Sequence, residues 1–336
     1  MRAPAFWRAP RPTLIAQLLR PAAALYGGIA ARRMRRPGER ASVPVICVGN
    51  FTAGGAGKTP TALALARVLR ELGAAPAFLS RGYGGRLAGP VLVDPTRHGA
   101  ADVGDEPLLL ARVAPTVVAR DRPAGARLCA ASGASVIVMD DGLQNPSLRK
   151  DLALAVVDGE TGIGNGLCLP GGPLRAPLSA QWALADALIL IGEGDAGAAV
   201  ARAASARGKP VLRASLQPDA DAAARLQGRR VLAFAGIGRP EKFFATLEAS
   251  GAAIARRRSF PDHHPYRAAE VGKLLEEARA EALLPVTTEK DLVRIAALGP
   301  ELAQAITALP VALVFADEEA LRGRLRGVAS RERSRD

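Results

Sequence analysis

Short unbroken apolar runs recur along the first two thirds of the chain, separated by longer Ala/Leu/Arg-rich stretches of helical character. The runs are PVICVG (44–49), PAFLS (76–80), TVVA (116–119), SVIVMD (135–140), LALAVVD (152–158), ALILIG (187–192) and PVLRAS (210–215). They have strand length and are apolar almost throughout, so burial on both faces is expected. Stretches such as 59–72 and 121–132 read as the intervening helices. Apolar strands alternating with helices predict an α/β fold: a parallel sheet covered on both faces. A second pattern starts near GRRVLAFAGIG (228–238), passes through a helix around 240–250 and ALLPVTT (282–288), and closes with LPVALVFAD (309–317). It predicts a smaller α/β unit, with the charged, Gly-containing RLQGRR marking a boundary near 226.

Residues 13–36 follow another pattern. Leu14, Leu18, Leu25 and Ile29 recur at near-helical spacing, Arg20 and Pro21 interrupt them, and Arg32, Arg33, Arg35 and Arg36 close the segment. Dense positive charge follows the apolar run, the reverse of a signal peptide. No run reaches the roughly 18 apolar residues of a membrane-spanning helix. The pattern alone leaves two readings: a helix lying in a membrane interface with Arg at the headgroups, or one packed on the chain's own core. The expected division is an N-terminal helical segment at 1–36, a main domain at 37–226, a smaller domain at 227–326 and a frayed tail at 327–336.

Composition adds three constraints. Hydrophobic residues make up 49% but aromatics only 4%, so the cores must be built from Ala, Leu, Val and Ile. Lys plus Arg total 45 against 32 acids, and the net charge of +13 points to an anionic partner: nucleic acid, an acidic membrane surface or a phosphorylated substrate. Cys47, Cys129 and Cys168 are scattered and form no CxxC pair, which suggests a reducing compartment rather than a disulfide or metal site.

Candidate chemistry begins at VGNFTAGGAGKTP (48–60), a Gly-rich loop between a predicted strand and a predicted helix. Thr52, Ala53, Gly54, Gly55, Ala56 and Gly57 form the loop. Its glycines let backbone N–H groups approach phosphates, and the following helix points its positive end at them. Lys58 is placed to bridge the β- and γ-phosphates of a nucleotide, and Thr59 to offer its hydroxyl to Mg²⁺. One position is irregular: the common G-x-x-x-x-G-K-[ST] spacing requires glycine where this chain has Thr52. Asp140 and Asp141 end another apolar run, where ligands bind in open α/β sheets, and either carboxylate can hold Mg²⁺. TTEKD (287–291) echoes the N/T-K-x-D base-reading motif of GTPases in the wrong order, which argues against a regulatory or metallochaperone GTPase. No aromatic stacking array supports a nucleic-acid-binding ATPase. A small-molecule kinase needs only a carboxylate or His to receive the acceptor's proton.

Several segments together resemble the tetraacyldisaccharide 4′-kinase family, the lipid A 4′-kinases of Gram-negative bacteria. They are the loop above, SRGYGG (80–85), VGDEPLLLA (103–111), DDGLQ (140–144), GPLRAPL (172–178), FPDHHPY (260–266) and TTEKD. The resemblance runs from about Leu25 to Phe315. It implies ATP-dependent phosphorylation of the 4′-hydroxyl of a tetraacylated glucosamine disaccharide 1-phosphate at the cytoplasmic face of the inner membrane. It also implies Asp105 as acceptor of the hydroxyl proton, His263 as its partner and Glu106 near the metal. Arg81, Tyr83, Gln144 and Arg175 are expected near the substrate or its phosphate. The family pattern commonly has Glu where this chain has Ala176, so no role of that Glu transfers. Lys290 of TTEKD is expected to approach the nucleotide but acquires no defined role at this level. The expected partners are the lipid acceptor and an anionic bilayer surface touched by a peripheral monomer, with no nucleic acid.

Overall fold

The apolar runs become the middle of one nine-stranded sheet. The computed structural model describes residues 4–329. Its strands are β1 (Val45–Asn50), β2 (Pro76–Ser80), β3 (Val91–Leu92), β4 (Thr116–Val118), β5 (Val136–Asp140), β6 (Leu152–Asp158), β7 (Ala187–Ile191), β8 (Val211–Pro218), β9 (Arg230–Ala235), β10 (Ala253–Ser259), β11 (Leu284–Thr288), β12 (Thr307–Leu309) and β13 (Val311–Phe315). The large sheet has the order β13-β8-β7-β6-β1-β5-β2-β4-β3. It is parallel except at its edges, where β13 and β3 run antiparallel to their neighbours. A second sheet, β10-β9-β11-β12, is parallel throughout.

Every residue of β1, β2, β5, β6 and β7 is buried, as expected for strands without alternation. The period of two still sorts side chains between two cores. Ile46, Val48, Val136, Val138 and Leu154 pack on one face with Leu65 and Leu69 of the helix Lys58–Glu71. Val45, Cys47, Ile137 and Met139 pack on the other with Trp182 and Val200. The low aromatic content is absorbed by these aliphatic layers. β10 was not legible as a strand: AIARRRS carries its three arginines exposed at a sheet edge, where charge is tolerated.

The chain's last part departs from expectation. LPVALVFAD reads as one strand of the smaller unit, but Pro310 divides it: β12 joins the small sheet, and β13 pairs antiparallel with β8 in the large one. Proline has no N–H to donate and breaks the ladder there. The helix Glu318–Ala329 follows β13 back and packs Leu321, Leu325 and Val328 into the core that contains Leu65. The smaller unit therefore ends near 309 rather than at 326, and it gains the helix Ala220–Leu226, whose Ala222 and Leu226 sit in its core. Of the expected frayed tail, 327–329 are the end of this helix, and 330–336 lie outside the described residues.

The N-terminal segment forms two helices, Leu14–Leu18 and Arg20–Met34, with Pro21 in the first turn of the second. Their buried positions are the small Ala16, Ala23 and Gly27, with Met34 at the end of the second helix. The large apolar side chains face outward, with Leu14 79%, Leu18 80%, Leu25 69% and Ile29 62% exposed. No described helix is long and apolar enough to cross a membrane.

Leu325→Ala should destabilise the large sheet by about 2–5 kcal/mol, the usual cost of a buried Leu truncation. Urea unfolding followed through Trp182, buried beside that sheet, measures it. An unchanged Trp182 transition would contradict the return of the chain's end to the large unit.

Candidate active site

At the C-terminal end of β1 the chain bends into the Gly-rich loop. The first half of that loop remains extended. Thr52 forms an antiparallel bridge with Leu174, Ala53 N–H donates to Pro173 O at 2.8 Å, and Arg175 N–H donates to Phe51 O at 3.0 Å. A β-branched residue suits such backbone, so Thr52 needs no glycine's freedom. The left-handed conformations come later, at Gly54 (φ 112°) and Gly57 (φ 89°). At Gly57 a Cβ would also lie 2.5 Å from Ile191 Cδ1. No side chain caps the helix Lys58–Glu71, so its first N–H groups remain available to an anion. Asn50, fully buried, donates to Gly54 O at 3.2 Å and braces the turn.

Asp140 and Asp141 occupy different surroundings. Asp140 stays in β5, 1% exposed, and its Oδ1 has no hydrogen-bond partner. Burial, together with the nearby charge of Glu106, pushes its carboxyl up to about 7. Asp141 turns left-handed (φ 54°) and receives both of its oxygens' contacts from Arg175 Nη1, at 2.9 and 3.0 Å. Lys58 Nζ lies 3.8 Å from the same carboxylate. Arg175 Nε donates to Thr52 O at 3.0 Å, so this arginine ties Asp141 to the loop. Gln144 also braces the loop: its amide donates to Asn50 O at 2.7 Å. Both residues, expected at the substrate, instead spend these groups on the chain itself.

Opposite the loop, Gly104 takes φ 90° immediately before the short helix Asp105–Ala111. A Cβ there would meet Tyr83 O at 2.5 Å, so only glycine brings SRGYGG this close to the acids. Glu106 Oε1 accepts from Thr59 Oγ1 at 3.2 Å and from Lys290 Nζ at 2.6 Å. Burial works to raise the Glu106 carboxyl, but Lys290 and Lys58 outweigh it and hold the group at about 2. Asp105 is 4% exposed. Its Oδ2 lies 3.1 Å from His263 Nδ1 and 3.2 Å from Arg294 Nε, and its Oδ1 accepts the Glu106 N–H at 3.0 Å. Burial again opposes ionisation, but the hydrogen bond and charge of His263, with Lys290 and Arg294, keep this carboxyl below its ordinary range. The hydrogen bond to Asp105 in turn raises His263.

Of the two adjacent histidines, His263 faces Asp105. His264 lies 2.7 Å from Glu270 and stacks on Phe260 at 4.7 Å between centroids. Tyr83 is 69% exposed and meets the His263 ring edge-on at 5.6 Å. Arg81 is exposed at the start of the same loop. Ala176 is buried and brings no carboxylate.

TTEKD, opaque in the sequence, joins the two sheet units. Thr287 hydroxyl donates to Phe234 O, and Thr288 caps the helix Glu289–Ala296. From that helix Lys290 reaches Glu106 and Arg294 reaches Asp105. On the other flank, Asp158 at the end of β6 is held by Arg239 and by Lys242 at 2.6 Å, both from the smaller unit. Sequence reasoning missed Arg294 and this second contact. Neither lies in a motif, and only the fold brings them to their partners.

Among the described residues no group of three or more His, Cys, Asp or Glu side chains forms a ready cation cage. The oxygen set of Thr59, Glu106 and unpartnered Asp140 still suits Mg²⁺, which is commonly held by one or two carboxylates together with substrate phosphates. The uncapped helix, Lys58 and the glycine loop suit a triphosphate.

Comparison with known proteins agrees with this chemistry. The family model for tetraacyldisaccharide-1-P 4′-kinase matches residues 15–330. A tetraacyldisaccharide 4′-kinase of Methylobacterium nodulans is 64% identical over 327 residues, covering 97% of this chain and 96% of that protein. One from Rhodopseudomonas palustris is 58% identical over 322 residues, covering 96% and 95%. The crystal structure of LpxK from Aquifex aeolicus in complex with ATP superposes with a TM-score of 0.73 at 26% identity, covering 94% of this chain and 99% of that one.

The His263–Asp105 contact has a measurable sign. His263 gains a partner on folding, so, while Asp105 is ionised, its contribution is fully present below about pH 6.5 and fades as pH rises through the higher folded value; the lowered Asp105 carboxyl ends it only at acid pH. NMR titration is tractable because the chain has only three histidines. Asp105→Asn should lower the His263 midpoint, and an unchanged midpoint would contradict the contact.

Proposed function

The chain belongs to the tetraacyldisaccharide-1-P 4′-kinase family, and from that premise we propose how its residues carry the reaction. It is an ATP-dependent kinase that phosphorylates the 4′-hydroxyl of tetraacyldisaccharide 1-phosphate to give lipid IVA in lipid A biosynthesis. In the reaction the 4′-oxygen bonds to the γ-phosphorus and the bond to the β–γ bridging oxygen breaks. ADP leaves with that electron pair, and the hydroxyl proton passes to a base.

In our reading the base is Asp105. The observation that carries it is the burial of an ionised carboxylate between His263 and Arg294, beside the acids that face the phosphate loop. His263 orients Asp105 and balances its charge. The loop from Thr52 to Thr59 takes the phosphates, and Lys58 offsets charge on the transferring group. Mg²⁺, held by Thr59, Glu106 and Asp140, would neutralise phosphate charge when bound. Asp141 positions Lys58 rather than the metal, because Arg175 already engages both of its oxygens. Tyr83, exposed beside His263, and Arg81, exposed at the start of the same loop, border the acceptor. Gln144 and Arg175 act on it only through the loop they brace.

The acceptor is a lipid, and we assign the outward Leu14, Leu18, Leu25 and Ile29 to the membrane that holds it. Arg20, Arg32 and Arg33 sit on the second of these helices and Arg35 and Arg36 just past its end, suited to anionic headgroups on the cytoplasmic face of the inner membrane. Each contributes about 1 kcal/mol near such a surface. The positive charge thus goes to headgroups and to the acceptor's 1-phosphate rather than to nucleic acid. One chain supplies the whole site, so a monomer suffices.

With radiolabelled ATP, Mg²⁺ and tetraacyldisaccharide 1-phosphate in mixed micelles, the wild type should label the lipid. Asp105→Ala should cut turnover by about 10²–10⁴-fold, and Lys58→Ala should abolish it. Wild-type turnover in Asp105→Ala would overturn the base assignment. Replacing Leu14, Leu18, Leu25 and Ile29 by Ser should release the folded protein from anionic vesicles in flotation. Undiminished binding would overturn the membrane assignment.

A further inference from the structure

Arg294 belongs to no motif, yet it is the most thoroughly anchored side chain near the acids. It projects from the helix Glu289–Ala296 and is only 9% exposed. All three guanidinium nitrogens are committed. Nε lies 3.2 Å from Asp105 Oδ2 and also donates to Lys290 O at 3.2 Å. Nη1 donates to Gly236 O at 3.0 Å and to His264 O at 3.2 Å. Nη2 lies 3.2 Å from Asp291 Oδ1.

Its anchor is rigid in turn. Asp291 is fully buried and accepts the Gly236 N–H at 3.0 Å, the Tyr266 hydroxyl at 2.9 Å and the Thr288 hydroxyl at 2.6 Å. A carboxylate with that many donors has no alternative rotamer, and neither does the guanidinium fork resting on it.

Arg294 also grips the backbone that presents His263. Gly236 O, which accepts from Arg294, accepts the His263 N–H at 3.1 Å as well. The second carbonyl on Nη1 belongs to His264, the next residue. One guanidinium therefore fixes Asp105 through its carboxylate and His263 through the chain on either side of it. The single Nε hydrogen goes to Lys290 O, so Arg294 meets Oδ2 as an ion pair; His263 and that charge both sit at Oδ2, and Oδ1, which accepts only the Glu106 N–H, is the less engaged oxygen.

We propose that Arg294 is a positioning residue for the phosphoryl transfer, aligning the Asp105–His263 pair so that Asp105 Oδ1 faces the acceptor hydroxyl. This rests on the reading of Asp105 as the base. Misplacing a reacting group by about 1 Å costs roughly 10²-fold in rate, which sets the size of the expected effect. Lysine cannot substitute, because a point charge on a flexible stem does not span the five acceptors around the guanidinium.

The test uses the full chain with ATP, Mg²⁺ and tetraacyldisaccharide 1-phosphate in mixed micelles, after thermal unfolding has shown each variant to be folded. Arg294→Lys should lower kcat about 10²-fold and leave KM for ATP within about twofold. Arg294→Gln provides a second variant should the lysine form fail to fold. Added methylguanidinium should recover part of the lost kcat in Arg294→Ala. In an Asp105→Asn background, Arg294→Lys should have no further effect, because its action runs through Asp105. Unchanged kcat in the Arg294 variants, or an equal loss in the Asp105→Asn background, would overturn the positioning role. Wild-type turnover in Asp105→Asn alone would instead overturn the base assignment beneath it.

Discussion

Two acids at the start of one helix face two bases on another, and the relation between the two sheet units depends on that meeting. Asp105 and Glu106 are adjacent. Lys290 and Arg294 are four residues apart and therefore share one helix face. Burying these charges costs several kcal/mol per ion, and only close pairing with further hydrogen bonds offsets it. Every nitrogen of Arg294 has a partner, and Glu106 takes a lysine and a hydroxyl on one oxygen. The smaller unit cannot shift far without stranding a buried carboxylate, at a cost of about 3–5 kcal/mol. The contact that holds the units together is also the contact that shapes the acids. Asp158, with Arg239 and Lys242, supplies a second tie from β6. In the sheet order β6 lies on one side of β1, and β2 and β4, on which the helix Asp105–Ala111 packs, lie on the other, so the glycine-rich loop after β1 lies between the two ties.

How much of this was legible in the sequence follows from which interactions are local. Strand burial is local: VICVGN and LALAVVD admit no exposed face, and both are buried throughout. The glycine-rich loop is local too, because strand, glycines, Lys58 and helix are contiguous. Pro310 was visible, but its effect was not. Whether the chain continues in one sheet or crosses to another depends on β8 offering an edge to β13. Lys290 and Arg294 were just as opaque, since a charge on a helix face says nothing about what faces it. The N-terminal leucines illustrate the same limit. Their spacing implies a helix whichever way it is turned, and only the packing of Ala16, Ala23 and Gly27 inward shows that the large side chains face out.

Thr52 marks a case where a motif misleads through its commonest form. The glycine usually present there serves a loop that turns at once. Here residues 51–53 pair with 173–175 before turning, so the flexible positions move two residues along to Gly54 and beyond. The strand-like pairing has a further consequence. It brings Arg175 onto Thr52 O and Asp141 together, and thereby couples the loop to the acid beside Lys58.

The division of labour between Asp140 and Asp141 rests on one backbone dihedral. Had the strand continued, the two side chains would point to opposite faces, one away from the loop. The left-handed turn at Asp141 brings its carboxylate round to Lys58 and Arg175, while Asp140 stays buried and unpartnered. His263 adopts the same conformation to meet Asp105. A non-glycine residue there costs of order 1–3 kcal/mol and persists only where its surroundings fix it. At Asp141 the Arg175 Nη1 contact to both carboxylate oxygens does so; at His263 the carboxylate and the Gly236 carbonyl do. The strained positions and the chemically committed side chains coincide because the same hydrogen bonds hold both.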